Sequence, residues 1–556
     1  MCGICGYYGE DERLNPHTLR AMNELITHRG PDEDGFFESQ GVGLAMRRLS
    51  ILDLEHGKQP VFNEAGTVCT VFNGEIYNYR EIKQCLEAEG HRFRTSSDTE
   101  VIVHLYEKYG QNLVHHLRGM FAFALWDIKN RRLLIARDRL GIKPLFYSIT
   151  GDTFVFGSEI KCVLASGMVS RNIDYQALDA YLTYTYVPAP LTIYQDIRKL
   201  EPGHMMVVDA SGIRIEQYWD LDFSELDEKK SEAEWKSIFD EAIYDAVKSH
   251  LVSDVPVGAF LSGGVDSSLI VAMMSDASAH AVETFTMGFE EKSGSLLDER
   301  VYARLLSEQY RLDYNEFTVS PHFTDIIDDV VTAFDEPFAD DSVVPSYYIS
   351  QLTSNKVKVA LSGLGGDELF AGYHRYSGLY MSRLYDYVPA YLRQHLVAPL
   401  VNRLPEPRNA SDRVNHLKRF VRYSDMPPAQ RYLGYVSTLD VDERRALLGP
   451  DLGAEIDFDA TGRIVLDRFD TCKGGDMIDR MLYADIKTYL PDDILALSDR
   501  LSMWHSLELR VPFVDHKLVE ISARLPSRFK INLFSKKRLL KKVARKWVPD
   551  RIIDHR

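Results

Sequence analysis

Apolar and polar positions alternate over short stretches of the first 205 residues, at 67–72, 133–136 and 153–157, with turn residues between them. A period of two sends successive side chains to opposite faces, so these stretches predict antiparallel sheet. Helical periodicity interrupts at 17–26, 79–89 and 99–108. From about Lys229 the texture changes. Residues 231–251 show helical spacing, and short apolar runs at 257–261, 283–289 and 356–361 are separated by helical segments. Buried strands alternating with helices predict a doubly wound parallel α/β sheet. Residues 376–480 predict a mostly helical C-terminal part. Two units are expected, an α+β unit over residues 1–210 and an α/β unit over residues 230–556.

Charge narrows the partners. A formal net charge of −17 over 556 residues opposes general binding to nucleic acid or an anionic membrane, which needs a positive field. It leaves room for a local anion site. No apolar run approaches the ~18 residues of a membrane helix, and no basic-then-apolar leader opens the chain. Six cysteines (Cys2, Cys5, Cys69, Cys85, Cys162, Cys472) are too sparse for a disulfide framework. A cytoplasmic location is expected. The 17 histidines are scattered, with no His-Glu-x-x-His and no four-ligand cluster.

The chain begins Met1-Cys2-Gly3-Ile4-Cys5-Gly6. Removal of the initiator Met would leave Cys2 with a free α-amine beside its thiol, so one residue would supply both nucleophile and base. An α-amino pKa near ~7.7–8.0 suits that role. Taken alone, Cys2 is as well read as a mere N-terminal residue, or as half of a Cys-x-x-Cys pair with Cys5. The pair lacks the second pair of ligands that zinc needs.

Further segments follow in order: His28–Asp32, Arg47–Ile51, Asn73–Asn78, Ser97–Glu100, Arg139–Leu145 and Gly157–Lys161. Together with Cys2 they resemble the class II glutamine amidotransferase domain, an N-terminal-nucleophile hydrolase with an αββα sandwich. The resemblance implies roles with a physical sense. Arg48 would take the glutamine α-carboxylate, and Glu75 and Asp98 its α-ammonium. The Asn73 side chain and the Gly74 N–H would form an oxyanion hole. Cys2 would attack.

The second signal is Ser262-Gly263-Gly264-Val265-Asp266-Ser267-Ser268, directly after the apolar run at 257–261. A glycine-rich turn opening a helix aims backbone N–H groups and the positive end of the helix dipole at an anion. The plain alternative is a turn with helix-capping serines. It is not the Walker loop, whose closing Gly-Lys-[Ser/Thr] is missing. It resembles the pyrophosphate loop of enzymes that split ATP into AMP and pyrophosphate. The resemblance implies ATP contacts at Ser262, Gly263, Gly264, Asp266, Ser267 and Ser268, at Phe260, Met287, Ser362 and Gly363, and at Lys537. It also implies Mg²⁺ on Asp266 and Asp367.

The two signals in one chain resemble the glutamine-hydrolysing asparagine synthetase family, as do Asp335–Asp340, Asp492–Leu495 and Ser506–Phe513. The family implies ammonia from glutamine, an acyl-adenylate on an acceptor carboxylate, and a homodimer. Aspartate is the first acceptor to consider. Two departures stand out. Position 364 is Leu where many such synthetases carry an acidic residue, which keeps a sugar acid or peptide acceptor open. The chain given stops at Arg556, where relatives commonly continue with a Lys and a Gly-Phe segment. A silent sensor of glutamine or ATP is a third reading, opposed by the intact reacting groups. The basic run from Lys536 to Lys546 reads as the solvated face of an amphipathic helix, Lys537 excepted.

Overall fold

The computed structural model describes residues 2–289, 299–320, 322–405 and 412–554. The alternating stretches of the first part form two six-stranded sheets. One runs in the order Arg198–Lys199, Phe146–Thr150, Thr153–Gly157, Cys2–Tyr8, Val42–Arg48, Glu33–Ser39. The other runs Gly212–Gln217, His204–Asp209, Arg132–Arg137, Gly119–Asp127, Val68–Ile76, Val61–Phe62. All their pairings are antiparallel.

Three apolar clusters stack these sheets into four layers. Ile4, Leu44, Met46, Val71, Ala124 and Trp126 meet between the sheets. Leu19, Met22, Ile160 and Val163 seat the helices Pro16–Glu24 and Ile160–Ala165 on the outer face of the first sheet. Ile82, Leu86, Val101 and Leu105 seat Tyr79–Ala88 and Glu100–Tyr109 on the second. The αββα sandwich follows, with central strands such as Cys2–Tyr8, Val68–Ile76 and Gly119–Asp127 buried on both faces and the edge strands Glu33–Ser39 and Gly212–Gln217 largely open.

Strand Cys2–Tyr8 also removes the Cys-x-x-Cys reading. Cys2 and Ile4 point between the sheets, while Cys5 and Tyr7 face the helices. An odd offset along a strand puts the two thiols on opposite faces. The expected boundary at residue 210 is also corrected: Gly212–Gln217 pairs in full register with His204–Asp209, so the sheet continues to Gln217.

Helix Glu232–His250 opens the second part with a Ser231/Glu234 capping box and buries Trp235, Phe239, Ile243, Ala246 and Val247 along one side. Five parallel strands follow in the order Asp313–Val319, Glu283–Phe289, Val257–Phe260, Val359–Leu361, Glu508–Arg510. The order reverses at Val257–Phe260, whose later partners lie to either side. A crevice opens beyond the carboxyl ends of strands at such a reversal. The run at 356–361 gives only a three-residue strand, because Lys358 turns out to the Asp32 carboxylate at 2.7 Å. The C-terminal part is helical, including Pro428–Val436, Phe458–Thr471, Met477–Lys487 and Leu495–Trp504. Among the described residues, no helix is long and apolar enough to cross a membrane.

Buried ion pairs and one large apolar cluster join the two parts. Asp499 accepts from Arg29 (2.8 Å) and Lys143 (3.2 Å), Glu336 from Lys199 (2.8 Å), and Asp515 from Arg118 (2.7 Å). Tyr77, Met120, Leu140 and Tyr184 from the first part pack in the same cluster as Phe370, Leu482 and Phe513 from the second.

Candidate functional site

Cys2 sits at the end of a central strand, opposite Arg48 across the ladder. Its backbone nitrogen, which becomes the α-amine once Met1 is removed, donates to Asn73 Oδ1 at 3.2 Å. The Asn73 Nδ2 is buried without a hydrogen-bond partner, the state expected of a donor reserved for a ligand. Burial pushes the Cys2 thiol above its usual range, so ionisation requires an adjacent base. Cys2, Arg48, Gly74, Glu75 and Asp98 line one small pocket together with Gln59 and Thr99. A Cβ at Gly74 would stand 2.0 Å from the Met120 carbonyl oxygen, so only glycine fits.

The charged groups of this pocket are firmly held. Arg48 donates to Glu33 (2.8 Å) and to the Leu52 and Asp53 carbonyls (2.9 and 2.8 Å). Asp98 accepts from the Ile76 N–H at 2.8 Å, and its carboxyl is pushed up to about 6, chiefly by burial. Burial and the nearby Glu508 raise Glu75 well above the carboxylate range. Its cation is Arg510, at 3.3 Å.

The second site lies at the reversal of the parallel sheet. Two loops leave adjacent strands there, Ser262–Gly264 after Phe260 and Ser362–Gly365 after Leu361. They meet closely: a Cβ on Gly363 would stand 2.6 Å from the Ser267 nitrogen. Helix Val265–Ala277 starts at Gly264 with no side-chain cap, so its first N–H groups are left for a ligand. The cleft, about 680 Å³, is lined by Phe260, Ser262, Gly264, Asp266, Ser267, Met287, Ser362, Gly363, Asp367 and Lys537.

Gly263, with φ +89, packs on the Glu299 backbone, and Ser268 is wholly buried in the first turn of the helix with its hydroxyl unpartnered; neither is among the residues lining the cleft. The basic run is corrected in part. Only Arg538–Ala544 is helix, with Leu539, Leu540 and Val543 buried. Lys536 and Lys541 line the cleft beside Lys537, so three lysines face it.

Lys537 takes a left-handed conformation, φ +52, and places its ammonium between Asp266 (2.5 Å) and Asp367 (2.7 Å). Burial opposes its charge, but the two carboxylates hold its pKa above the usual lysine range. Asp266 Oδ1 remains buried without a partner. Two carboxylates converging on one cationic centre, with an oxygen to spare, are a donor set that fits Mg²⁺. Glu299, Ser346, Lys536 and Lys541 also line the cleft, without a motif of their own to mark them in the sequence. For Lys541 a signal existed, since it stands four residues from Lys537.

Comparison with known proteins fits this pairing. Residues 1–219 match the glutamine amidotransferase domain and residues 239–556 match asparagine synthase. The chain belongs to the asparagine synthase family. An asparagine synthetase [glutamine-hydrolyzing] 1 of Bacillus subtilis is 34% identical, covering 100% of this chain and 86% of that protein. A putative asparagine synthetase of Mycobacterium bovis is 33% identical with the same coverage. An amidase chry2 of Gibberella zeae is 29% identical over 99% of this chain and 87% of its own. As a member of the family the protein is a glutamine-hydrolysing, ATP-driven amidating ligase.

Proposed function

We propose that the protein converts aspartate to asparagine, using glutamine as nitrogen donor and splitting ATP into AMP and pyrophosphate. The observation that carries this reading is the cleft at the sheet reversal, where both glycine loops, Asp266, Asp367 and Lys537 converge. The chemistry divides between a unit ending after Gln217 and one opening at Ser231.

In the first unit the Cys2 thiol attacks the glutamine amide carbon and passes its proton to the Cys2 α-amine, which hands it to the departing ammonia. Asn73 Nδ2 and the Gly74 N–H stabilise the tetrahedral oxyanion. Arg48 holds the glutamine α-carboxylate, and Glu75 and Asp98 its α-ammonium. Water then hydrolyses the glutamyl thioester.

In the second unit Ser262, Gly264, Ser267 and the helix start hold the β- and γ-phosphates, with Lys537 beside them. Phe260, Met287, Ser362 and Gly363 border the nucleoside. The acceptor carboxylate attacks the α-phosphorus, pyrophosphate leaves, and ammonia then displaces AMP from the acyl carbon. Mg²⁺ held by Asp266 and Asp367 would neutralise charge on the departing pyrophosphate. A small cavity of about 30 Å³ lies at the boundary, lined by apolar Ile142, Leu145, Val187, Phe334, Phe338 and Ala496 and by charged Arg137, Lys199, Glu336, Asp492, Asp499 and Arg500. It has room for a water-sized molecule and suits the passage of ammonia away from bulk protons.

Leu364, at the place where many such synthetases carry an acid, lines the cleft. That favours one second reading, the same chemistry on another carboxylate such as a sugar acid or peptide. The deciding experiment measures AMP and amide product with Mg-ATP and glutamine, with and without aspartate, by mass spectrometry. Aspartate-dependent AMP with matching asparagine is expected. Glutaminase turnover without aspartate-dependent AMP would transfer the proposal to the other acceptors. A homodimer is proposed on family grounds alone.

A further inference from the structure

Two histidines meet near the Val61–Phe62 edge of the second sheet, and neither lines the pockets described above. His104 lies on helix Glu100–Tyr109, and His91 in the loop that follows helix Tyr79–Ala88. Glu64 joins them from the turn between strands Val61–Phe62 and Val68–Ile76. One ligand atom from each of these three residues lies within 4.8 Å of the other two. Glu107 shares the helix face of His104, one turn on. Its Oε2 stands 3.2 Å from His104 Nδ1 and 3.7 Å from His91 Nδ1. Its Oε1 accepts from Asn63 Nδ2 at 2.7 Å, which fixes this carboxylate against the turn that carries Glu64. No spacing along the chain marks the cluster; folding assembles it from three segments.

His104 is fully buried, and its Nε2 has no hydrogen-bond partner. Glu100 Oε1 lies 3.6 Å from that nitrogen, and it already accepts from the Arg94 N–H at 2.8 Å. Among the described residues, the two imidazoles are the only basic side chains paired with Glu100 and Glu107. The plain alternative is that both rings are protonated and supply the positive charge. A protonated His104 would then bury an N–H with no acceptor at hydrogen-bond distance, which is costly. A metal ion instead takes the lone pair of a neutral ring and brings the charge itself. A carboxylate beside one ring nitrogen, with the other left free of hydrogen bonds, is the setting of a metal-binding histidine.

We propose that Glu64, His91 and His104 hold a divalent transition-metal ion, Zn²⁺ by the character of the donors, with Glu107 orienting the rings. Two imidazole nitrogens and one carboxylate oxygen suit Zn²⁺ better than Mg²⁺ or Ca²⁺, which take oxygen. Bonds of ~2.0–2.2 Å around a tetrahedral centre set donor atoms about 3.4 Å apart, so small side-chain shifts close the three on an ion. Glu64 is exposed and His91 half-buried, which leaves a way in from solvent. The role is structural. The chain between His91 and His104 carries Ser97, Asp98 and Thr99, which line the glutamine pocket, and the ion ties both ends of that stretch to the turn at Glu64.

The test uses the full chain, stripped with a chelator and dialysed. Wild type, His91→Gln and Glu64→Gln are each equilibrated with a small excess of Zn²⁺, and bound metal is measured by mass spectrometry. Wild type should retain one equivalent more than either variant, whatever the nucleotide cleft or Cys2 also binds. Zn²⁺ should raise the wild-type thermal midpoint by roughly a few °C, and the variants should lose that rise. With Co²⁺, the difference between wild-type and variant spectra should show the visible bands of a tetrahedral site and no thiolate charge-transfer band. Glu64→Gln changes an exposed side chain and carries the test if His91→Gln does not fold. Equal metal content and equal midpoint shifts in wild type and folded variants overturn the site and leave the two rings as ion-pair partners of Glu100 and Glu107.

Discussion

Arg510 and Glu75 meet across the boundary between the two parts, guanidinium to carboxylate at 3.3 Å. The same Arg510 accepts a hydrogen bond from the Ser362 N–H at 2.8 Å through its backbone carbonyl. One residue therefore touches the glutamine pocket with its side chain and the nucleotide loop with its main chain. Its guanidinium is fully buried and also donates to Glu508 (2.5 Å) and to the His250 and Val252 carbonyls.

Arg510→Gln leaves Glu75 and Glu508 without their guanidinium. Removing one partner of a buried ion pair costs roughly 3–5 kcal/mol, so a clear drop in thermal midpoint is expected. The KM for glutamine should rise because Glu75 loses its anchor. The KM for ATP should move little, since the backbone contact to Ser362 survives. A variant as stable as wild type with an unchanged glutamine KM would show that the pair holds neither pocket nor boundary.

Cys2→Ala should abolish glutamine-dependent activity and spare activity supplied with ammonium chloride. The thiol is used only in the first site, while Asp266, Asp367 and Lys537 stand in the second. Product assays with each nitrogen source check this. Loss of both activities in a folded variant would contradict two separable sites.

Asp367→Asn should stop AMP formation and leave glutaminase turnover, because it removes one of the two carboxylates around Lys537. Gly372→Ala should act alike: its new Cβ would press on Asp367 and, at 2.3 Å, on Lys537 Cε. AMP release that persists in Asp367→Asn would take that carboxylate out of the reaction.

Asp98 sets a pH dependence. Burial raises its carboxyl to about 6 in the folded chain, against ~3.9 when unfolded. Between those values the folded state holds the extra proton, so stability contributed here falls as pH rises from about 4 to 6 and is level above. An ammonium partner must be ionised, so Asp98 should add a rise in kcat/KM for glutamine centred near pH 6, below the further rise that deprotonation of the Cys2 α-amine imposes near ~7.7–8.0. Asp98→Asn should lower the plateau and remove this limb. A wild-type profile flat from about pH 5 to 7 would argue against Asp98 as the ammonium partner.

The sequence alone carried the local chemistry. Alternation at period two set the strands of the sandwich, and a glycine-rich turn between strand and helix marked the anion loop, because side-chain periodicity and glycine's backbone freedom are local properties. Cys2, Arg48, Asn73, Asp98, Asp266 and Asp367 could be picked out on residue type and order. Only the tertiary structure brought Lys537 between Asp266 and Asp367, from 170 residues beyond the nearer carboxylate. Only it showed that Ser268 faces the core, that Cys5 lies on the opposite face of the strand from Cys2, and that Arg510 joins Glu75 to the loop at Ser362. Such contacts depend on how strands and helices pack, and no spacing along the chain encodes which buried charge will meet which.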